Sequence, residues 1–172
     1  MTELEHFRAQ KDAFFKTHRQ SPLTAGQRVA FEGLRYFPEN PELRLVLPLE
    51  QFADKDGIVM QTSTGDERGY IRYGRLYFMV DGQEVALTVY ADEHSGAFFL
   101  PFVDALRGRE TYGAGRYLEP ELLGDGRLLV DFNLAYNPYC AYNEDWSCPI
   151  TPPENRLAVP IRAGEQLYKA VA

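Results

Sequence analysis

In the run Arg75-Leu76-Tyr77-Phe78-Met79-Val80-Asp81-Gly82-Gln83-Glu84-Val85-Ala86-Leu87-Thr88-Val89-Tyr90, an Asp-Gly pair divides two strand-like segments. A two-residue type I′ turn needs positive φ at both central positions, and Asp-Gly tolerates that. Arg75 to Val80 and Gln83 to Tyr90 are therefore expected to pair antiparallel. Tyr70 to Tyr73 extends the first arm, with Gly74 as a break.

Further strands follow on both sides. Upstream, Leu43, Leu45, Leu47 and Leu49 alternate with other residues at period two, which gives a strand with one leucine face. Pro48 cannot donate to a ladder, so this strand belongs at an edge or a bulge. Ile58 to Thr62 reads as another strand, and Gly65-Asp66 as a turn. Downstream, Ala97 to Phe102, Arg127 to Asn133 and Leu157 to Arg162 have strand character. Short strands at close spacing without intervening helices predict a mainly β fold. The expected form is an antiparallel meander closing into a barrel or a two-layer sandwich.

Before the strands lies a helical region, about residues 1–35. Thr2 and Glu5 have capping-box spacing, and Leu4, Phe7, Phe14 and Phe15 recur near helical spacing, so a helix over 3–17 is predicted. A second, short helix starts either at Ser21-Pro22 or behind a Thr24/Gln27 capping box and stops near Gly33. The 172 residues fit one domain, 1–172, with a core of its own. The 11 Tyr and 11 Phe suit a pleated, half-buried surface.

Charge and termini narrow the function classes. The net charge is −7 and no Lys/Arg run exists, which argues against nucleic acid and against an anionic membrane surface as partner. No apolar run reaches the length of a membrane span. Met1 to Phe7 carries no basic and apolar signal pattern, so the expectation is a cytoplasmic protein with two free thiols.

From about Thr111 to Arg156 the text turns polar and irregular, and long structured loops are commonly functional. Leu128, Val130 and Phe132 form one face of the preceding strand. Asp131 and Asn133 fall on the other, either in solvent or lining a cavity. The candidate ligand-binding residues are Tyr112, Arg116, Asp131, Asn133, Tyr136, Asn137, Glu154 and Asn155, with Tyr142 beside them. Arg116 suits a carboxylate or phosphate. Three readings stay open: a pocket for a small anionic or polar ligand near Arg116 and Asp131, a hydrolase or lyase using Asp131 or Glu154, and a purely structural polar network.

Other chemistries fit less well. Seven residues separate Cys140 from Cys148, more than lie between paired zinc cysteines, and His6, His18 and His94 are remote, so neither a metal nor a cofactor is implied. A Cys140–His94 dyad would need His94 to leave an exposed turn. Gly113-Ala114-Gly115-Arg116 is neither a Walker motif nor a dinucleotide fingerprint, and its glycines better serve a bulge or a close backbone approach.

Several stretches together resemble a known family. They are Gly33 to Pro38, Thr62 to Gly65, Arg72-Tyr73-Gly74, Phe102-Val103-Asp104, Thr111 to Tyr117, Asp131-Phe132-Asn133, Asn137 to Cys140, Cys148-Pro149, Pro152 to Leu157 and Ala163-Gly164-Glu165. The family is the bacterial domain-of-unknown-function family 1684, and the resemblance covers nearly all of the chain after the first helix. It implies no assigned activity. Two features depart from the family pattern: Ala105-Leu106 replaces Thr-Ser after Asp104, and Leu134 stands where a basic residue is common.

Overall fold

Asp81 (φ +50°) and Gly82 (φ +78°) both adopt the left-handed conformation that a type I′ turn requires. They join β4 (Glu67–Val80) to β5 (Gln83–Asp92), whose pairing runs from Val80↔Gln83 to Tyr70↔Asp92. A computed structural model of the chain describes residues 1–168. The remaining elements are α1 (Glu3–Thr17), α2 (Ala25–Ala30), β1 (Arg44–Leu47), β2 (Glu50–Gln51), β3 (Gly57–Gln61), β6 (Phe98–Phe102), β7 (Arg116–Leu118), β8 (Glu121–Leu122) and β9 (Leu128–Asp131).

The strands form two antiparallel sheets. One has the order β1-β9-β8; the other has β2-β4-β5-β6-β7, with β3 also on β4. The sheets stay open and do not close into a barrel. Leu45, Leu47, Leu128 and Val130 of the small sheet pack with Leu76, Phe78, Leu87, Val89 and Leu100 of the large one. This is the sandwich alternative of the expected fold.

Local chemistry places most boundaries. Thr2 and Glu5 form the capping box of α1, and Thr24 and Gln27 that of α2. The second helix thus begins behind Thr24 and not at Ser21-Pro22; the Ser21 hydroxyl instead donates to Phe15 O at 2.7 Å. The leucine strand is cut at Pro48. Its first half, β1, pairs only β9 and its second, β2, pairs only β4, so both lie at sheet edges.

Three expectations need correction. Gly74 does not break the strand: β4 continues past it through a bulge between Arg72 and Gly74. Leu157 to Arg162 is no strand, since its carbonyls and amides bond to side chains and loops in place of a ladder. Arg116 to Leu118 is a strand, paired with β6 from Phe102↔Arg116 to Leu100↔Leu118. No helix among the described residues is long and apolar enough to cross a membrane.

Candidate functional site

The bulge in β4 shifts which face its even-numbered residues occupy. Leu76 and its partner Leu87 face the core between the sheets, whereas Tyr70, opposite Asp92, shares the other face with Tyr90. Cross-strand pairing carries that second face onward through Phe99, opposite Tyr90, and Tyr117, opposite Pro101. The result is an aromatic face of Tyr70, Tyr90, Phe99 and Tyr117. Tyr70 stacks on Phe99 at 5.2 Å and Phe99 meets Tyr117 edge-on at 4.8 Å. Residues 136–149 cover this face with Tyr136, Tyr139, Cys140 and Cys148.

The cover is tied to the sheet by named bonds. Cys148 N donates to Ser63 Oγ (3.1 Å), Ser63 N to Cys148 O (2.9 Å), Ile150 N to Gln61 O (2.8 Å) and Arg68 Nη2 to Ser147 O (2.8 Å). The Tyr117 hydroxyl donates to Pro149 O. Toward the helices, Gln27 Nε2 donates to Tyr142 O at 2.8 Å.

Between α1, the aromatic face and this cover lies a cavity of about 650 Å³. Phe7, Tyr117, Tyr136, Tyr139 and Trp146 give it ring faces, and Cys148 and Pro149 close one side. Lys11 and Arg68 bring positive charge. Lys11 is neutralised by the buried carboxylate of Glu165. Arg68 makes no salt bridge among the described residues. Trp146 is 38% exposed and meets Tyr139 edge-on at 5.1 Å.

A second cavity, about 290 Å³, lies across the thiols. Cys140 and Cys148 are free and adjacent: Cys140 N donates to Cys148 Sγ at 3.3 Å. The Tyr112 hydroxyl is 3.7 Å from Cys140 Sγ. A hydrogen bond from the Cys148 thiol lowers the Cys140 thiol to about 6, against the opposing effect of burial and with help from Tyr112. The same shared proton, with burial, pushes Cys148 far up. Among the described residues no group of three His, Cys, Asp or Glu is placed to hold a metal ion. His94 lies on the exposed turn after β5 beside Glu93 and lines neither cavity.

The eight candidate residues do not converge. Arg116 is 1% exposed, and its guanidinium donates to Ile161 O (2.9 Å), Glu165 O (3.0 Å) and Ala163 O, 3.8 Å from Asp104 Oδ2. The reason is strand alternation: on β7, Tyr117 faces the cavity, so Arg116 and Leu118 face the main core. Burial lowers the Arg116 guanidinium to about 10, opposed by Asp104 and Glu165. Asp104 is in turn bonded by Thr111 Oγ1 (2.7 Å) and Ile161 N (2.8 Å). The expected pocket with both Arg116 and Asp131 in its wall is therefore not formed.

Asp131 and Asn133 line a groove under the N-terminus of α1. Asn133 is largely consumed there, exchanging bonds with Asn40 N (2.8 Å) and Asn40 O (2.9 Å). Asn137 donates to Gln166 O at 3.0 Å, and Asn155 bonds to strands β5 and β6. Asp131 accepts from Asn133 N (3.0 Å) and Asn133 Nδ2 (2.9 Å), so these four residues and Arg116 fit the structural-network reading. Glu154 accepts two bonds from Arg72 Nε (2.9 and 3.1 Å), one from Nη2 (2.9 Å) and one from the Tyr90 hydroxyl. Burial works against its charge, but the Arg72 and Tyr90 bonds outweigh that and hold the carboxyl below its usual range. A carboxylate held ionised in this way is a poor general acid.

Only Tyr136 and Tyr112 of the eight line the two cavities, one each. Phe7, Arg68, Tyr117, Tyr139 and Trp146 were not expected there. The strands that carry Tyr70, Tyr90 and Phe99 are legible in the sequence, but the face they share depends on the bulge in β4. Gly115 (φ +102°) does serve a close approach, as expected: a Cβ there would stand 2.5 Å from Phe102 O.

The family model described as "Protein of unknown function (DUF1684)" matches residues 29–166, so the chain belongs to that family. No curated protein matches. Among solved structures, the chain is similar to an uncharacterised protein of Haloarcula marismortui determined by solution NMR. The two are 37% identical over 95% of this chain and 92% of that one, with a TM-score of 0.70.

Proposed function

Starting from membership of that uncharacterised family, we propose that the protein is a small-molecule binding module whose ligand is an aromatic or similarly planar anion. The observation that carries this reading is the 650 Å³ cavity walled by Phe7, Tyr117, Tyr136, Tyr139 and Trp146 with Arg68 at its edge. Ligand cavities in proteins have this size, with mostly apolar or aromatic walls and a few fixed polar groups. Ring faces take up a planar ligand by stacking and edge contacts. Among the described residues Arg68 bonds Ser147 O and the Tyr70 hydroxyl, which leaves further N–H donors for a carboxylate. The anionic ligand is retained from the sequence reading; its site moves from Arg116 and Asp131 to Arg68 and Tyr117.

Trp146 is the single tryptophan of the chain, so its emission reports on the cavity directly. Titration with salicylate and with 1-anilinonaphthalene-8-sulfonate is expected to quench Trp146 saturably. Arg68→Ala is expected to weaken both by about tenfold, the loss of one charge-assisted hydrogen bond. Unsaturable quenching by both anions in the folded wild-type protein, or equal binding of uncharged benzyl alcohol, would overturn the reading.

A further inference from the structure

The Cys140–Cys148 pair lies in the wall shared by the two cavities: Cys148 lines both, and Cys140 opens only to the second. We propose that these thiols form a redox-active dithiol, with Cys140 attacking and Cys148 resolving, that exchanges with a low-molecular-weight anionic disulfide entering the second cavity. The proposal is independent of the aromatic-anion reading.

Three observations carry it. The Cys148 sulfur already stands against the Cys140 residue, 3.3 Å from its backbone N. Their environments differ in the sense an attacking and a resolving thiol require: Cys140 is half-buried beside the Tyr112 hydroxyl and Cys148 is buried. A nucleophilic thiol needs access and a stabilised thiolate, whereas a resolving thiol needs only proximity. Finally, the second cavity holds Arg107, Arg156 and Thr151. Both arginines are exposed, whereas Thr151 is 2% exposed and its hydroxyl has no hydrogen-bond partner among the described residues. An unpartnered buried hydroxyl in a cavity lined by two cations suits the carboxylate of an incoming disulfide.

The steps balance without a further reagent. Cys140 thiolate attacks one sulfur of the disulfide R–S–S–R; the S–S bond breaks and one R–S⁻ departs. Cys148 then attacks Cys140 Sγ, its proton passes to the sulfur that departs, and the second group leaves as R–SH. The dithiol loses two electrons, and the disulfide takes them up as one thiolate and one thiol.

The test treats the reduced, native chain with one equivalent of 5,5′-dithiobis(2-nitrobenzoate), a dianionic disulfide, and reads thionitrobenzoate release and intact mass. The wild-type protein is expected to release both thionitrobenzoates and to end two hydrogens lighter, with the bond mapped to Cys140–Cys148. Cys148→Ala is expected to release one and retain the other on Cys140. Cys140→Ala is expected to react about tenfold more slowly than Cys148→Ala. A wild-type product that keeps the adduct, or equal rates in the two variants, overturns the proposal. Because the decisive mass is read on the unaltered chain, a variant that fails to fold does not blunt it. Arg107→Ala with Arg156→Ala is expected to slow the dianionic disulfide several-fold and leave bis(2-hydroxyethyl) disulfide unchanged. Equal effects on both probes overturn the anionic assignment.

Discussion

The side chain of Asn155 pairs with the backbone of Thr88 as a neighbouring strand would: Thr88 N donates to Asn155 Oδ1 and Asn155 Nδ2 donates to Thr88 O, both at 2.8 Å. Continuing the β5–β6 register from Tyr90↔Phe99 puts Thr88 opposite Pro101, which has no N–H to offer. Asn155 fills that gap and also donates to Pro101 O at 2.9 Å. Asn155→Ala would leave one buried donor and two buried acceptors unpaired. At about 1–3 kcal/mol for each such group, the expected loss is about 3 kcal/mol or more. Urea denaturation checks it as a lower midpoint with unchanged slope.

Arg116 acts in the same structural sense on the chain's last described segment. It bonds Ile161, Ala163 and Glu165 carbonyls in a plane that a lysine ammonium cannot span. Arg116→Ala would also leave the buried Asp104 carboxylate without its cation, so a loss of about 3–5 kcal/mol is expected, read from denaturation. Arg116→Lys, if folded, should bind salicylate as the wild type does, because Arg116 faces away from the cavity.

Cys140 should show its lowered thiol directly. The iodoacetamide rate at Cys140 is expected to rise with pH and level off above a midpoint near 6. Cys148→Ala removes the main hydrogen bond to the Cys140 sulfur, so the midpoint should move toward the ordinary thiol value of about 8.5. Peptide mapping assigns the alkylated residue.

The Glu154 ion pair gives an acid-side signature. Its folded carboxyl titrates below the unfolded value of about 4.3, so its contribution is present above that pH and is lost as pH falls through the lower, folded value. Glu154→Gln should therefore lower stability near neutral pH, with the gap to wild type closing in acid. Denaturation midpoints from about pH 7 to about pH 2 measure it.

The buried carboxylate of Glu165 gathers Lys11, the Tyr142 hydroxyl (2.8 Å) and Asn137 N (3.0 Å). It thereby ties α1 to the cover of the aromatic cavity. Glu165→Gln keeps the shape but leaves Lys11, in the cavity wall, without its counter-charge, so a moderate destabilisation with tighter binding of salicylate is expected, and the same Trp146 titration tests it.

The sequence by itself determined the local elements. Asp81-Gly82 dictates its turn because few residue pairs accept two positive φ values. Thr2/Glu5 and Thr24/Gln27 dictate helix starts because their side chains reach backbone groups three residues away. Period-two leucines marked a strand, and Pro48 marked an edge. Each of these signals acts over a few residues of chain. What only the tertiary structure decided was which way side chains face. A single extra residue in β4 exchanges its two faces, and β7 hid its period among glycines and polar residues. Hence Arg116 points into the core and Tyr117 into the cavity, although they are adjacent in the chain. The carboxylates and amides of residues 131–155 likewise read as ligand groups, yet most satisfy backbone donors and acceptors that lie tens of residues away. Such partners, like Thr88 for Asn155, are chosen by sheet register, and register is a property of the assembled chain.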